Sequence, residues 1–204
     1  MKLLDFLRRR PPIATPEQLA DFIDSNAAFL VQKGFYEYAR ARAGHYAKVL
    51  FKEKIFHDAV DLARWRAFPL GLAMVAEAAE GLLRPQAGEA RDRQLDALRA
   101  LTLSVFDKYP VPAAVGEDVW SRLRAELERQ LALIGLHPPK RAMDIPEPFA
   151  KTYFDLMPIH QKLRAAEFPT TQSYLKVTLC NIHDELDKRL DARALVPRLT
   201  GRAA

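Results

Sequence analysis

The sequence predicts an all-α fold: a single compact bundle of about seven to nine helices, with an apolar central helix near residues 70–83. Three observations carry this expectation. Apolar residues recur at helical spacing along most of the 204 residues. No stretch alternates with period two for more than a few residues, and turn signals never arrive at hairpin spacing. Glycine, at 8 residues, is too scarce for a turn-rich β-sandwich. The composition, 49% hydrophobic and 28% charged, is that of a globular chain rather than a disordered one. A chain of this length buries roughly 70% of the surface its unfolded form exposes, so one core can hold it without staples.

The elements follow in order. Residues 1–12 form a basic amphipathic segment: Leu3, Leu4, Phe6 and Leu7 stand beside Lys2 and the run Arg8-Arg9-Arg10, before Pro11-Pro12 turns the chain. A single helical domain is expected over 15–194. Thr15-Pro16-Glu17-Gln18 reads as a helix start, with a threonine cap, proline at the first helical position and glutamine completing a capping box. Leu19, Phe22, Ile23, Ala27 and Leu30 then recur to Gly34, which reads as a left-handed cap. A second helix is expected from about Phe35 to Phe51 and a third from Lys54 to Ala67, where Pro69 breaks or kinks the chain.

Leu70 to Leu83 is apolar on almost every side and rich in Gly and Ala, as suits a helix in the middle of a bundle. Leu95, Leu98, Leu101 and Val105 carry the next helix, and Trp120, Leu123, Leu127 and Leu131 the clearest amphipathic one. Gly135 to Pro148, with four prolines, reads as an ordered strap across the bundle, held by Leu136, Met143 and Ile145. Phe149–Leu163 is expected to be helical, with Pro158 inside it. The last strong helix begins near Thr170 or Thr171, and 195–204 is expected to be a basic tail.

Several chemistries lack their signatures. No glycine-rich phosphate loop, Gly-x-Ser-x-Gly elbow, His-Glu-x-x-His or Glu-x-x-His pair occurs. No short second helix carries the Arg, Asn and Gln cluster of a DNA reader, so a nucleic-acid partner is not expected. The lone Cys180 cannot build a disulfide framework or a thiolate zinc site. Residues 1–7 have too short an apolar run for a secretory signal, which points to a reducing, cytoplasmic compartment with Cys180 as a free thiol. The formal net charge of +5 permits an acidic partner without requiring one.

Five constellations remain. The basic N-terminal segment suits either a weak contact with an anionic membrane surface, peripherally on its cytoplasmic side, or docking on the protein's own core. Tyr38, Arg42, His45 and Tyr46 share one helix face, and an arginine between tyrosines can hold a phosphate or carboxylate. The plainer account has the rings in the core and Arg42 reaching past them to water. Arg64 and Trp65 stand beside Pro69 and could wall a pocket. Glu77 and Glu80 lie on the apolar helix, where a carboxylate must be paired, protonated or at a wet edge. Glu80 has Arg84 at i+4, while Glu77 needs a partner from elsewhere, with Arg42, Arg64 or a histidine as candidates. Finally, Cys180, His183 and Asp187 share one side of the last helix, and with His57 and Asp61 could supply ligands to a divalent metal.

Together these point to a non-catalytic binding or adaptor protein that recognises an anionic small molecule or an acidic protein partner, without a cofactor. Its candidate site comprises Tyr38, Arg42, His45, Tyr46, Arg64, Trp65 and Glu77. The alternative is a small all-helical enzyme with a His/carboxylate centre, with or without a hydrolytic divalent metal on His57, Asp61, His183 and Asp187.

Overall fold

The first helix starts where local chemistry puts it. In the computed structural model, which describes residues 11–43, 54–158 and 164–201, Gln18 N–H donates to Thr15 Oγ1 at 3.3 Å and Thr15 N–H donates to Gln18 Oε1 at 3.1 Å. The expected capping box is therefore reciprocal, and it opens α1 (Pro16–Ala43). The remaining helices are α2 (Lys54–Ala87), α3 (Arg91–Asp107), α4 (Glu117–Leu133), α5 (Glu147–Leu156), α6 (Arg164–Arg189) and α7 (Ala192–Leu199), with a 3₁₀ turn at Gly88–Ala90. Among the described residues there is no β-strand, only one isolated parallel bridge between Ile13 and Leu190. The fold is helical and packed around a single core, as expected.

Helix α2 is the axis of this packing. It touches α1, α3, α4, α5, α6 and α7. Every residue from Leu70 to Glu80 is buried, so the expected central helix is the middle of a longer one. Pro69 does not break it. The ring removes one backbone hydrogen bond at a cost of about 3 kcal/mol, but Pro69 is itself buried against other helices, whose packing holds the axis continuous.

Gly34 is likewise not a cap, because α1 runs on past it to Ala43. What glycine provides there is space. A Cβ at Gly34 would meet the Tyr153 hydroxyl and would lie 2.7 Å from Tyr174 Cε1. Gly71 performs the same service between α1 and α2, since a Cβ there would sit 2.9 Å from the Ala27 carbonyl oxygen and 3.1 Å from Val31 Cγ2.

Other boundaries also differ from expectation. Helix α5 stops at Leu156, before Pro158. Helix α6 is already formed at Arg164 and carries Pro169 within it, rather than starting near Thr170. The boundary expected at 194/195 falls inside α7, whose Leu195 and Val196 are buried, so 195–199 is not a tail. Asp191 caps that helix by accepting from Ala194 N–H at 3.1 Å. The parts of the expected 35–51 and 149–163 helices beyond Ala43 and Pro158 lie outside the described residues, as do residues 1–10.

Gly71→Val forces a branched side chain against the α1 backbone. It is expected to destabilise the fold by about 1–3 kcal/mol, read as a lower urea midpoint at unchanged m-value, whereas Gly81→Ala, with open space around the added carbon, should be nearly neutral.

Candidate functional site

The two carboxylates of α2 have opposite legibility. Glu80, with 2% of its side chain exposed, accepts from Arg84 Nη2 at 2.7 Å, the i+4 partner the spacing predicts, and also from Arg91 Nη1 at 2.8 Å. The same guanidinium groups reach onward. Arg84 Nη1 donates to the His137 carbonyl at 2.9 Å, and Arg91 Nη2 donates to the Gly135 carbonyl at 2.9 Å. Glu77 finds its partners in that segment too: Lys140 Nζ at 2.9 Å and His137 Nε2 at 3.3 Å. Two turns of α2 and the start of α3 thus hold residues 135–140 by two carboxylates and two arginines. The expected strap is ordered, but for a different reason. Ile145 is buried as expected, whereas Leu136 and Met143 are 74% and 42% exposed, so the polar anchors hold what apolar contacts were expected to hold.

This arrangement separates Glu77 from Trp65, two of the residues expected in the site around Arg42 and His45. Trp65 and Glu77 are twelve residues apart on one unbroken helix, about 18 Å along its axis. Trp65 packs in an aromatic cluster with Phe68, Tyr109 and Trp120, at centroid distances of 6.0, 5.3 and 5.9 Å. Arg64 lies over the Trp65 ring at 4.7 Å and pairs with Asp61 at 3.6 Å. Neither walls a pocket with Glu77, whose partners are in the strap. Tyr109 O–H in this cluster donates to Asp24 at 2.7 Å; burial and that bond push its pKa up to about 12. The Arg42 side chain, His45 and Tyr46 lie outside the described residues.

Tyr38 does line a cavity. Between α1, α5 and α6 there is a space of about 220 Å³, walled by Gly34, Glu37, Tyr38, Met157, Glu167, Thr170, Thr171 and Tyr174. The missing side chain at Gly34 lets two tyrosines in. Tyr174 O–H donates to the Leu30 carbonyl at 2.9 Å, and Tyr153 O–H donates to the same carbonyl at 3.2 Å. Burial raises the Tyr174 pKa to about 12, with Glu37 adding to the effect, and burial raises Tyr153 further. Thr171 Oγ1 donates to the Glu167 carbonyl at 3.2 Å and contacts Met157 Sδ at 3.6 Å, fixing the cavity floor. Sequence reasoning found Tyr38 and missed Glu167, Thr171 and Tyr174. The available signal is a glutamate, a threonine and a tyrosine at i, i+4 and i+7, hidden because the expected helix begins near Thr170 or Thr171, after Glu167.

The metal alternative fares differently at each end. His183 Nδ1 lies 3.9 Å from Asp184, its neighbour in sequence. Among the described residues, no group of three or more His, Cys, Asp or Glu side chains is gathered as a metal ion would require. Cys180 is a half-buried free thiol. No described helix is long and apolar enough to cross a membrane.

Comparison of the chain with protein-family models, with characterised proteins and with solved structures gives no match in any of the three.

Removing Glu80 breaks a buried ion cluster and frees the strap. Glu80→Ala is expected to cost about 3 kcal/mol or more in urea unfolding and to open the Lys140–Arg141 bond to trypsin in the folded state. An unchanged urea midpoint with an intact strap would contradict this account of the anchor.

Proposed function

We propose that the chain is a non-catalytic helical binding module whose small-molecule ligand enters the cavity between α1, α5 and α6. The observation that carries this reading is the composition of the cavity wall. Its body is carbon: the Tyr38 and Tyr174 rings, Met157 and the threonine methyl groups, with no side chain at Gly34. Among the described residues that line it, the charged members are Glu37 and Glu167. With its ring faces and the exposed Glu37 carboxylate, such a wall suits a ligand with an apolar body and a donor or cationic end.

That chemistry departs from the anion expected of Arg42. An anion here would face carboxylates from two helices, at an energetic cost that rises as water is excluded. The enzyme reading draws less support. Glu77 is engaged by His137 and Lys140 of the strap, and the contact between His183 and Asp184 is one between chain neighbours.

The test is thermal unfolding with three probes of one shape: benzylammonium, benzyl alcohol and benzoate. Benzylammonium, followed by benzyl alcohol, should raise the midpoint, by about 1.4 kcal/mol of added stability at ten times Kd, and benzoate should not. Thr170→Phe, at an exposed position on the cavity rim, should remove the response while leaving the unliganded midpoint in place. Stabilisation by benzoate alone would overturn the reading in favour of an anion site; no response to any probe would overturn it outright.

A further inference from the structure

A second space lies elsewhere on the described surface, independent of that cavity. A groove of about 480 Å³ runs along α1 from Gln18 to Phe29, walled on its other side by Glu185 and Arg189 of α6. Its apolar part is Phe22 and the ring of Phe29, which is 47% exposed. Its acidic part is Asp21 and Glu185, the latter paired with Arg189 Nη1 at 2.7 Å.

The chain is delivered to one end of this groove. Pro11 and Pro12 form part of its wall, and Arg189 Nε donates to the Pro11 carbonyl at 3.1 Å. Ile13 is fixed beside it, its N–H donating to the Arg189 carbonyl at 2.8 Å and its carbonyl accepting from Asp191 N–H at 2.9 Å. Gln18, at the same end, accepts from the Ala14 N–H at 2.8 Å. Whatever precedes Pro11 therefore leaves from the Gln18 end.

We propose that residues 1–10 of the same chain dock in this groove, the arginines on its acids and the apolar residues on its phenylalanines. The order of residues matches the order of the groove. Reading backwards from Pro11, Arg10, Arg9 and Arg8 come first, and the acid nearest the Gln18 end is Asp21. Leu7 and Phe6 come next, and the far end of the groove is Phe29. The lengths agree as well. Gln18 to Phe29 is eleven residues of helix, about 16 Å. Five residues of extended chain, from Pro11 back to Phe6, span about 16 Å. Phe6 then reaches Phe29, and the ring left half in water gains a cover. The match rests on Asp21 and the exposed Phe29 ring, since Glu185 is paired with Arg189 and Lys33 Nζ lies 4.9 Å from the Phe29 centroid; Asp21 would contribute nothing against an anionic bilayer, which favours this occupant.

The experiment uses the full chain in a Cys180→Ser background, with Leu7→Cys paired with Ser25→Cys, an exposed groove position. Mild oxidation of a dilute sample should give an intramolecular crosslink at least tenfold faster than Leu7→Cys paired with Leu136→Cys on the strap. Adding Asp21→Lys or Phe6→Asp should lower that rate several-fold while the urea midpoint of each variant stays near its parent, separating loss of docking from loss of fold. Equal rates for the two pairs, or indifference to both added substitutions, would overturn the proposal. Crosslinks chiefly between molecules would overturn it in favour of a second copy. Flotation of the parent protein on phosphatidylserine-containing vesicles through residues 1–10, with no groove crosslink, would overturn it in favour of the bilayer.

Discussion

Two carboxylates in the dry middle of a bundle constrain everything around them. Glu77 and Glu80 sit on the one helix that every other described helix touches, with 7% and 2% of their side chains exposed. Ionised groups there are costly unless each oxygen is met by a cation or donor. Arg84 and Arg91 meet Glu80, while Lys140 and His137 stand on Glu77. The arginines also bond the Gly135 and His137 carbonyls, so satisfying the charge on α2 simultaneously fixes the path of the chain between α4 and α5. The value of such a cluster lies in placement: hydrophobic residues could fill the same volume, but they would not specify where the strap crosses.

The rest of the packing depends on how closely other helices approach that axis. Gly71 lets α1 lie against α2 at backbone contact distance, and Gly34 lets the Tyr153 and Tyr174 rings enter beside α1. Those two tyrosines share the Leu30 carbonyl, tying α5 and α6 to the same turn of α1. The cavity beneath Tyr38 is the space left where that convergence is incomplete. It is lined by residues whose positions are set by the same contacts, so the chemistry of its wall is a consequence of helix packing.

Legibility in the sequence follows the range of each interaction. The capping box at Thr15 and Gln18 and the Glu80–Arg84 pair were readable because both partners lie within one turn. So was the buried middle of α2, whose all-round apolar pattern needs no knowledge of its neighbours. Arg91 on Glu80, Lys140 on Glu77 and Tyr174 on Leu30 were not readable, since each joins residues separated by a turn or a whole helix. Pro69 and Gly34 misled for one reason. Their local preferences favour a break, and tertiary packing outweighs a few kcal/mol of local preference. A break or kink at Pro69 leaves room for Trp65 and Glu77 in one site; on one continuous helix they stand about 18 Å apart.

The account makes the middle of α2 the last part of the molecule to open. Native-state hydrogen exchange measures this directly. The amides of residues 73–80 should exchange only through global unfolding, with opening free energies equal to that from denaturant and falling with it at the full m-value. The strap amides that follow Gly135 should open at lower free energy and independently of them. Exchange of residues 73–80 through a local opening well below the global free energy, with the helices around them still protected, would contradict the claim that this buried, carboxylate-bearing helix holds the fold.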